Sequence, residues 1–358
     1  MNKRNEYVDI LKGVGITSIV LGHSCAFVFK NNVPMGPFVY TYHLMIFMFI
    51  IGYLFNCDIF EKDKNYKYQY IGKQIIKMLS LYFLYNLVFV LAHNSFVKLH
   101  MIDDEIYHTR DISKYIFAGL QFLTNEKLLA ALWFIPMMLF AKIIFVILYS
   151  KNIFNNRLAN ITSIGIITGI IGILLTINNG FFQYFIQISF ISVSFISLGI
   201  IYKKYEEKIS FLITNWSWMP SAFIIFIILK QYNSWIDLGN NQLINPLVFY
   251  LLSLLGIYFC LSLAKTINCF KTSKKIFTIL GENSFHIMAM HLLVIKIIDI
   301  TYAAIKGITD YKLVASYPYA FSNRLWFLYF VLGTIIPVII ITPLKSFKKE
   351  YIDTFKTY

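Results

Sequence analysis

The chain has 358 residues, 58% of them apolar and only 14% charged, with a formal net charge of +14. A soluble chain would carry about a quarter charged residues, so an ordinary soluble domain is excluded. The basic residues sit in short links between apolar blocks, which assigns them to membrane topology and anionic lipid; no basic stripe on a recognition fold marks nucleic acid as a partner.

The apolar blocks predict an all-α class, a polytopic helical membrane bundle forming one integral-membrane domain over 1–358. Ten spans are expected, near 7–29, 37–57, 71–93, 128–149, 158–177, 181–202, 216–230, 243–265, 284–305 and 324–344. The seventh is the shortest. The stretches NNVPMGP at 31–37 and NNG at 178–180 mark two tight links. With the N-terminus in the cytoplasm, alternation places 19 Lys and Arg on the cytoplasmic side and 9 opposite, which favours both termini inside.

The first span, EYVDILKGVGITSIVLGHSCAFVF, carries Asp9, Lys12 and His23 within its apolar run. Ionisable groups at membrane depth are costly and face protein or a cavity. Lys12 and His23 are 11 residues apart, so they share a face within roughly 20° and are separated by about 16 Å along the axis. Asp9, one turn before Lys12, is close enough to pair with it. Asp9 and Lys12 also break any signal-peptide reading, and no A-x-A site follows, so an uncleaved first span is expected. The first link is centred on Val33, ten residues from both His23 and His43. In a helical hairpin those two histidines therefore lie level.

The link 94–127 is the longest outside the cytoplasm. It carries Asp103, Asp104, Glu105 and Asp111, and the periodic piece DISKYIFAGLQFL that could lie along the membrane surface. It reads as a lid over substrate or as a solvated connector. Cys25, Cys57, Cys260 and Cys269 form no C-x-x-C pair, so free thiols and no metal site are expected. Cys25, two residues past His23, faces away from it.

The pattern D-I-L-K-(x10)-H, with Gly22 before His23, resembles the acyltransferase-3 family of integral-membrane O-acyltransferases, and within it the fucose 4-O-acetylase-like branch. YHLMIFMFIIGYLF at 42–55, KQIIKMLSLYF at 73–83, LWFIPMMLF at 132–140 and LGENSFHIMAMH at 280–291 are similar to further segments of that branch, in the same order. The likeness departs from the family at Met45 and Ile46, where Pro-Leu is usual, at Ile51 for Ser, and at Leu81 for Pro. Lys73 and Lys77 stand where arginines are common. The resemblance implies an acyl-CoA donor, usually acetyl-CoA, a glycan or glycolipid hydroxyl as acceptor, and a multi-pass location in the cell (inner) membrane.

O-acyl transfer needs a base for the acceptor hydroxyl and stabilisation of the tetrahedral oxyanion. The resemblance points to His23 as that base; the plainer reading is an interhelical hydrogen bond. His43 either orients His23 or binds the acceptor, or is structural. Lys12, with Lys73 and Lys77, is placed to meet donor phosphates from the cytoplasm; the alternatives are the Asp9 pair for Lys12 and topogenic charge for the other two. Trp133 is a sugar-stacking candidate or an ordinary interfacial tryptophan. His291 ends the late family segment and is a candidate for the central cavity; His286, five residues earlier, lies on another face. The competing functional class is a proton-coupled transporter or flippase of envelope glycan precursors, for which paired inverted repeats are absent from the sequence. The acceptor sugar and a homo-oligomeric state are left open.

Overall fold

The computed structural model describes residues 5–25, 35–61, 64–123, 126–151, 156–177, 185–232, 236–240, 242, 245–315 and 320–355. The last turns expected of the first span, the links at 31–34 and 178–180, and the start of the sixth span at 181–184 lie outside them.

In chain order the helices are α1 (Glu6–Ser24), α2 (Met35–Tyr40), α3 (Met45–Tyr53), α4 (Lys64–Lys98), α5 (Thr109–Leu120), α6 (Phe134–Ser150) and α7 (Arg157–Ile177). There follow α8 (Ile186–Ile209), α9 (Trp218–Tyr232), α10 (Pro246–Cys269), α11 (Lys271–Glu282), α12 (Ser284–Lys306), α13 (Tyr311–Ala315) and α14 (Ser322–Phe355). Among the described residues no sheet forms beyond an isolated bridge between Asp237 and Gln242. Among the described residues eight stretches are long and apolar enough to cross a membrane: Met35–Tyr53, Gln69–Lys98, Lys127–Ser150, Arg157–Ile177, Ile186–Leu212, Pro246–Cys269, Ser284–Lys306 and Ser322–Pro343. The protein is thus an all-α polytopic membrane bundle. The expected seventh span is the shorter apolar helix Trp218–Gln231.

α1 is not among the eight because Asp9, Lys12 and His23 lower its apolarity, and its surroundings explain how it tolerates them. Thirteen of its 19 residues are buried, and it packs against α2, α3, α10, α11, α12 and α14. A helix walled by protein can carry Asp9, Lys12, Ser18 and His23 where one facing lipid cannot. Asn5 caps it, accepting from the backbone N–H of Tyr7 at 3.1 Å and Val8 at 3.3 Å. Glu6 and Asp9 in its first turn and His23 in its last complement the helix dipole.

Glycine sets how closely α11 approaches α1. A Cβ on Gly281 would lie 1.8 Å from the Asp9 carbonyl oxygen, and one on Gly13 would lie 2.3 Å from that of Phe277. Both obstacles are backbone, which cannot swing aside. Small residues give helices in membranes this backbone-to-backbone contact. Gly281→Ala should therefore separate α11 from α1 and lower the unfolding midpoint in detergent. Gly72→Ala is the control, because a Cβ there meets nothing within 4 Å. Equal midpoints for the two variants would show that the contact is dispensable.

Two expected spans are irregular. The second is broken at 41–44, between α2 and α3. Ser253 of α10 donates to the Thr41 carbonyl at 2.8 Å, Ser18 of α1 meets the Tyr42 hydroxyl at 3.2 Å, and the Tyr42 side chain lies against Gly256. Protein groups thus satisfy backbone freed at membrane depth. The fourth span opens as a 3-10 segment, Lys127–Trp133, before α6. Pro136 explains the tightening, since its ring cannot sit against the carbonyl four residues back in an α-helix.

The link 94–127 is packed rather than loose. His93 stacks on Tyr107 with ring centroids 3.4 Å apart, and its Nδ1 meets Glu126 Oε2 at 3.0 Å. Burial pushes the Glu126 carboxyl above its ordinary range, with His93 acting against that shift. α5 has an apolar face and exposes Phe117 and Leu120, as a helix lying along a membrane surface would.

Candidate active site

Three imidazoles and a phenol gather where α1 ends. His23, in the last turn of α1, lies edge-on to His291 of α12, with centroids 5.1 Å apart and planes at 82°. On another side it faces Tyr40 of α2 at 6.4 Å. Tyr40 in turn contacts His43 at 4.7 Å. The hairpin thus brings His23 and His43 into one cluster, with Tyr40 between them. Gly22 makes this possible: a Cβ there would lie 2.9 Å from the Tyr40 ring. His43 sits in the break of the second span, so its position depends on the α10 groups that hold that break.

The ring nitrogens have fixed roles. His291 Nδ1 meets the Ile287 carbonyl at 3.0 Å, and His43 Nδ1 meets the Val39 carbonyl at 2.9 Å. A carbonyl oxygen only accepts, so Nδ1 carries the hydrogen in both rings. In the neutral ring Nε2 is then the acceptor. His291 is fully buried, and among the described residues its Nε2 has no hydrogen-bond partner. A buried polar atom left without a partner is costly unless something that visits the site supplies one. His23 itself is only half-buried.

The remaining sequence candidates are spread out. Asp9 and Lys12 pair at 3.2 Å, but 14 residues separate Asp9 from His23, about 21 Å of helix. Asp9 also lines a cavity of about 620 Å³ with Asn5, Tyr7 and Asn268 at the other end of α1. Lys73 and Lys77 are exposed on α4. Trp133 ends the 3-10 segment, packed on Phe185 at 4.5 Å and 3.5 Å from where a Cβ on Gly239 would stand. His286 accepts from or donates to Tyr85 at 2.8 Å, apart from the cluster. Among the described residues no group of three His, Cys, Asp or Glu is placed to hold a metal ion, and all four cysteines are free.

Sequence reasoning missed several groups. Asp237, in the connection from α9 to α10, acts electrostatically on His43. Lys142, Lys296 and Asp299 are charged residues within apolar blocks, the same signal that singled out Asp9 and Lys12. Tyr40 precedes His43 by three residues, a helical neighbour on the same face.

The family model described as "Acyltransferase domain", of the acyltransferase-3 type, matches residues 5–344. The chain belongs to that family. No curated protein and no solved structure matches it. The match runs from the cap of α1 into α14, so the helices that carry the histidine cluster of this acyltransferase all lie within it. As a membrane acyltransferase it also has the broken span found in many transporters, but family membership favours group transfer over transport.

Proposed function

We propose that this acyltransferase moves an acetyl group from cytoplasmic acetyl-CoA to a hydroxyl of a cell-surface or exported glycan. In this reading it is a multi-pass enzyme of the inner cell membrane, of the fucose 4-O-acetylase-like branch, with both termini cytoplasmic. His23 takes the acceptor hydroxyl's proton as the oxygen attacks the thioester carbonyl. The tetrahedral oxyanion then collapses, and the departing CoA sulfur recovers that proton from the imidazolium. The observation that carries this reading is the contact between half-buried His23 and buried His291, whose Nε2 acceptor has no partner among the described residues. Such an arrangement leaves room for a proton to arrive and be held.

The two ends of α1 then face the two substrates. The Asp9–Lys12 pair sits about 16 Å of helix from His23, of the order of a pantetheine arm. Lys12, with Lys73 and Lys77, supplies positive charge toward the donor on that side. Trp133 borders the acceptor side, where its ring can stack on a sugar, and His43 holds the acceptor or His23.

Membranes containing the protein, supplied with acetyl-labelled acetyl-CoA, should move label into a glycan fraction. Label remaining in CoA or released as free acetate, with the protein folded, would end this reading. His43→Ala should lower the transfer rate at least tenfold while leaving CoA affinity unchanged. A wild-type rate would remove His43 from the site.

A further inference from the structure

Lys12, Lys142 and Lys296 lie well inside the bundle, and two of them have a carboxylate three residues away. Lys12 meets Asp9 at 3.2 Å and Lys296 meets Asp299 at 3.5 Å. Lys142 differs. It sits eight residues before the end of α6, about 12 Å into the bundle. Among the described residues its hydrogen bond goes to the neutral side-chain amide of Gln74 on α4, and no carboxylate lies within ion-pair distance. A half-buried ammonium at this depth is retained for a partner or a job.

Lys142 and Gln74 open onto a cavity of about 320 Å³ between α3, α4 and α6. Asn56 and Tyr70 add polar groups to its wall, and Ile51 and Phe55 add apolar surface. An elongated ligand with an anionic group and amides fits that mixture. Lys73 and Lys77 flank Gln74 in sequence and are exposed. They stand on neighbouring faces of the same turns, where further phosphate charge would be met.

Building on the acetyl-CoA reading above, we propose that this cavity binds the phosphate-bearing part of the donor, with Lys142 as its central cation. Lys142 supplies charge-assisted hydrogen bonds to phosphate oxygens, and the Gln74, Asn56 and Tyr70 side chains meet the pantetheine amides. An anionic lipid headgroup offers the same phosphate chemistry, so the test separates the two sources.

The probe is free coenzyme A, titrated into the purified full chain in nanodiscs of neutral phosphatidylcholine. Lys142→Gln should weaken binding by about ten- to a hundredfold, the loss of a charged hydrogen bond. Lys142→Arg should keep it within a few-fold. Gln74→Glu is the variant that protects against a folding artefact. It supplies the missing carboxylate, so thermal stability should hold or rise while coenzyme A affinity falls. Wild-type affinity in both Lys142→Gln and Gln74→Glu overturns the inference and leaves the acetyl-CoA reading standing. So does an effect of these variants confined to phosphatidylglycerol binding, which would make lipid the occupant. No coenzyme A binding by the wild type overturns both.

Discussion

Replacing His23 with alanine should lower acetyl transfer by about a thousandfold, the range that a positioned general base contributes. Glutamine should fare no better, since it keeps the size and hydrogen bonding but cannot take up a proton. Folding should survive, because His23 is only half-buried, with its ring edge-on to His291 and tilted at 6.4 Å from Tyr40. Coenzyme A affinity should also survive, since Lys12 lies about three turns from His23 and Lys73, Lys77 and Lys142 stand on other helices. The combination is diagnostic: a large loss in kcat with donor binding intact separates a base from a structural histidine. Near-wild-type acetylated glycan from His23→Ala membranes would refute the mechanism. His291→Phe offers a second measure. It removes the buried acceptor but keeps an aromatic ring, so a rate loss there reports on Nε2 rather than on ring packing.

The class of the fold was legible because span length is set by the bilayer. Blocks of about twenty apolar residues have few alternatives to crossing it. The importance of α1 was legible because Asp9, Lys12 and His23 break an apolar run at helical spacing. That His23 and His43 join one cluster, with Tyr40 between them, is in keeping with their equal distance to the turn. The break that holds His43 was not legible. Thr41, Tyr42, His43 and Leu44 include no glycine or proline, and the groups that hold the break, Ser253 and Gly256, lie more than two hundred residues further on. Nor could the electrostatic influence of Asp237 on His43 be read, because the two residues lie in distant parts of the chain. Lys142, Lys296 and Asp299 are a different matter. Their signal, a charge inside an apolar block, is in the sequence as plainly as that of Asp9 and Lys12.

Asp299→Ala should destabilise the protein by about 3–5 kcal/mol, the usual effect of removing one member of a buried ion pair. Asp299 and Lys296 are both essentially inaccessible to solvent. The carboxylate accepts from the Tyr329 hydroxyl of α14 and from the Ala320 backbone N–H at 3.3 Å. Lys296 donates to the Val314 carbonyl of α13 at 2.7 Å. The pair therefore ties α12 to α13 and to the start of α14, on the helix that also carries His291. Removing the carboxylate alone leaves a buried ammonium without its counter-charge and the Tyr329 hydroxyl without its acceptor. Removing both charges should do much less harm, because apolar groups of similar volume can replace a buried pair. The expected order of unfolding midpoints is wild type close to Lys296→Met/Asp299→Leu, with Asp299→Ala well below both. Transfer activity per folded molecule should stay near wild type in the double variant, since the pair bonds to Val314, Ala320 and Tyr329, none of them a member of the histidine cluster. A double variant as unstable as Asp299→Ala would show that the pair's hydrogen bonds, rather than its charge balance, hold this end of the bundle together.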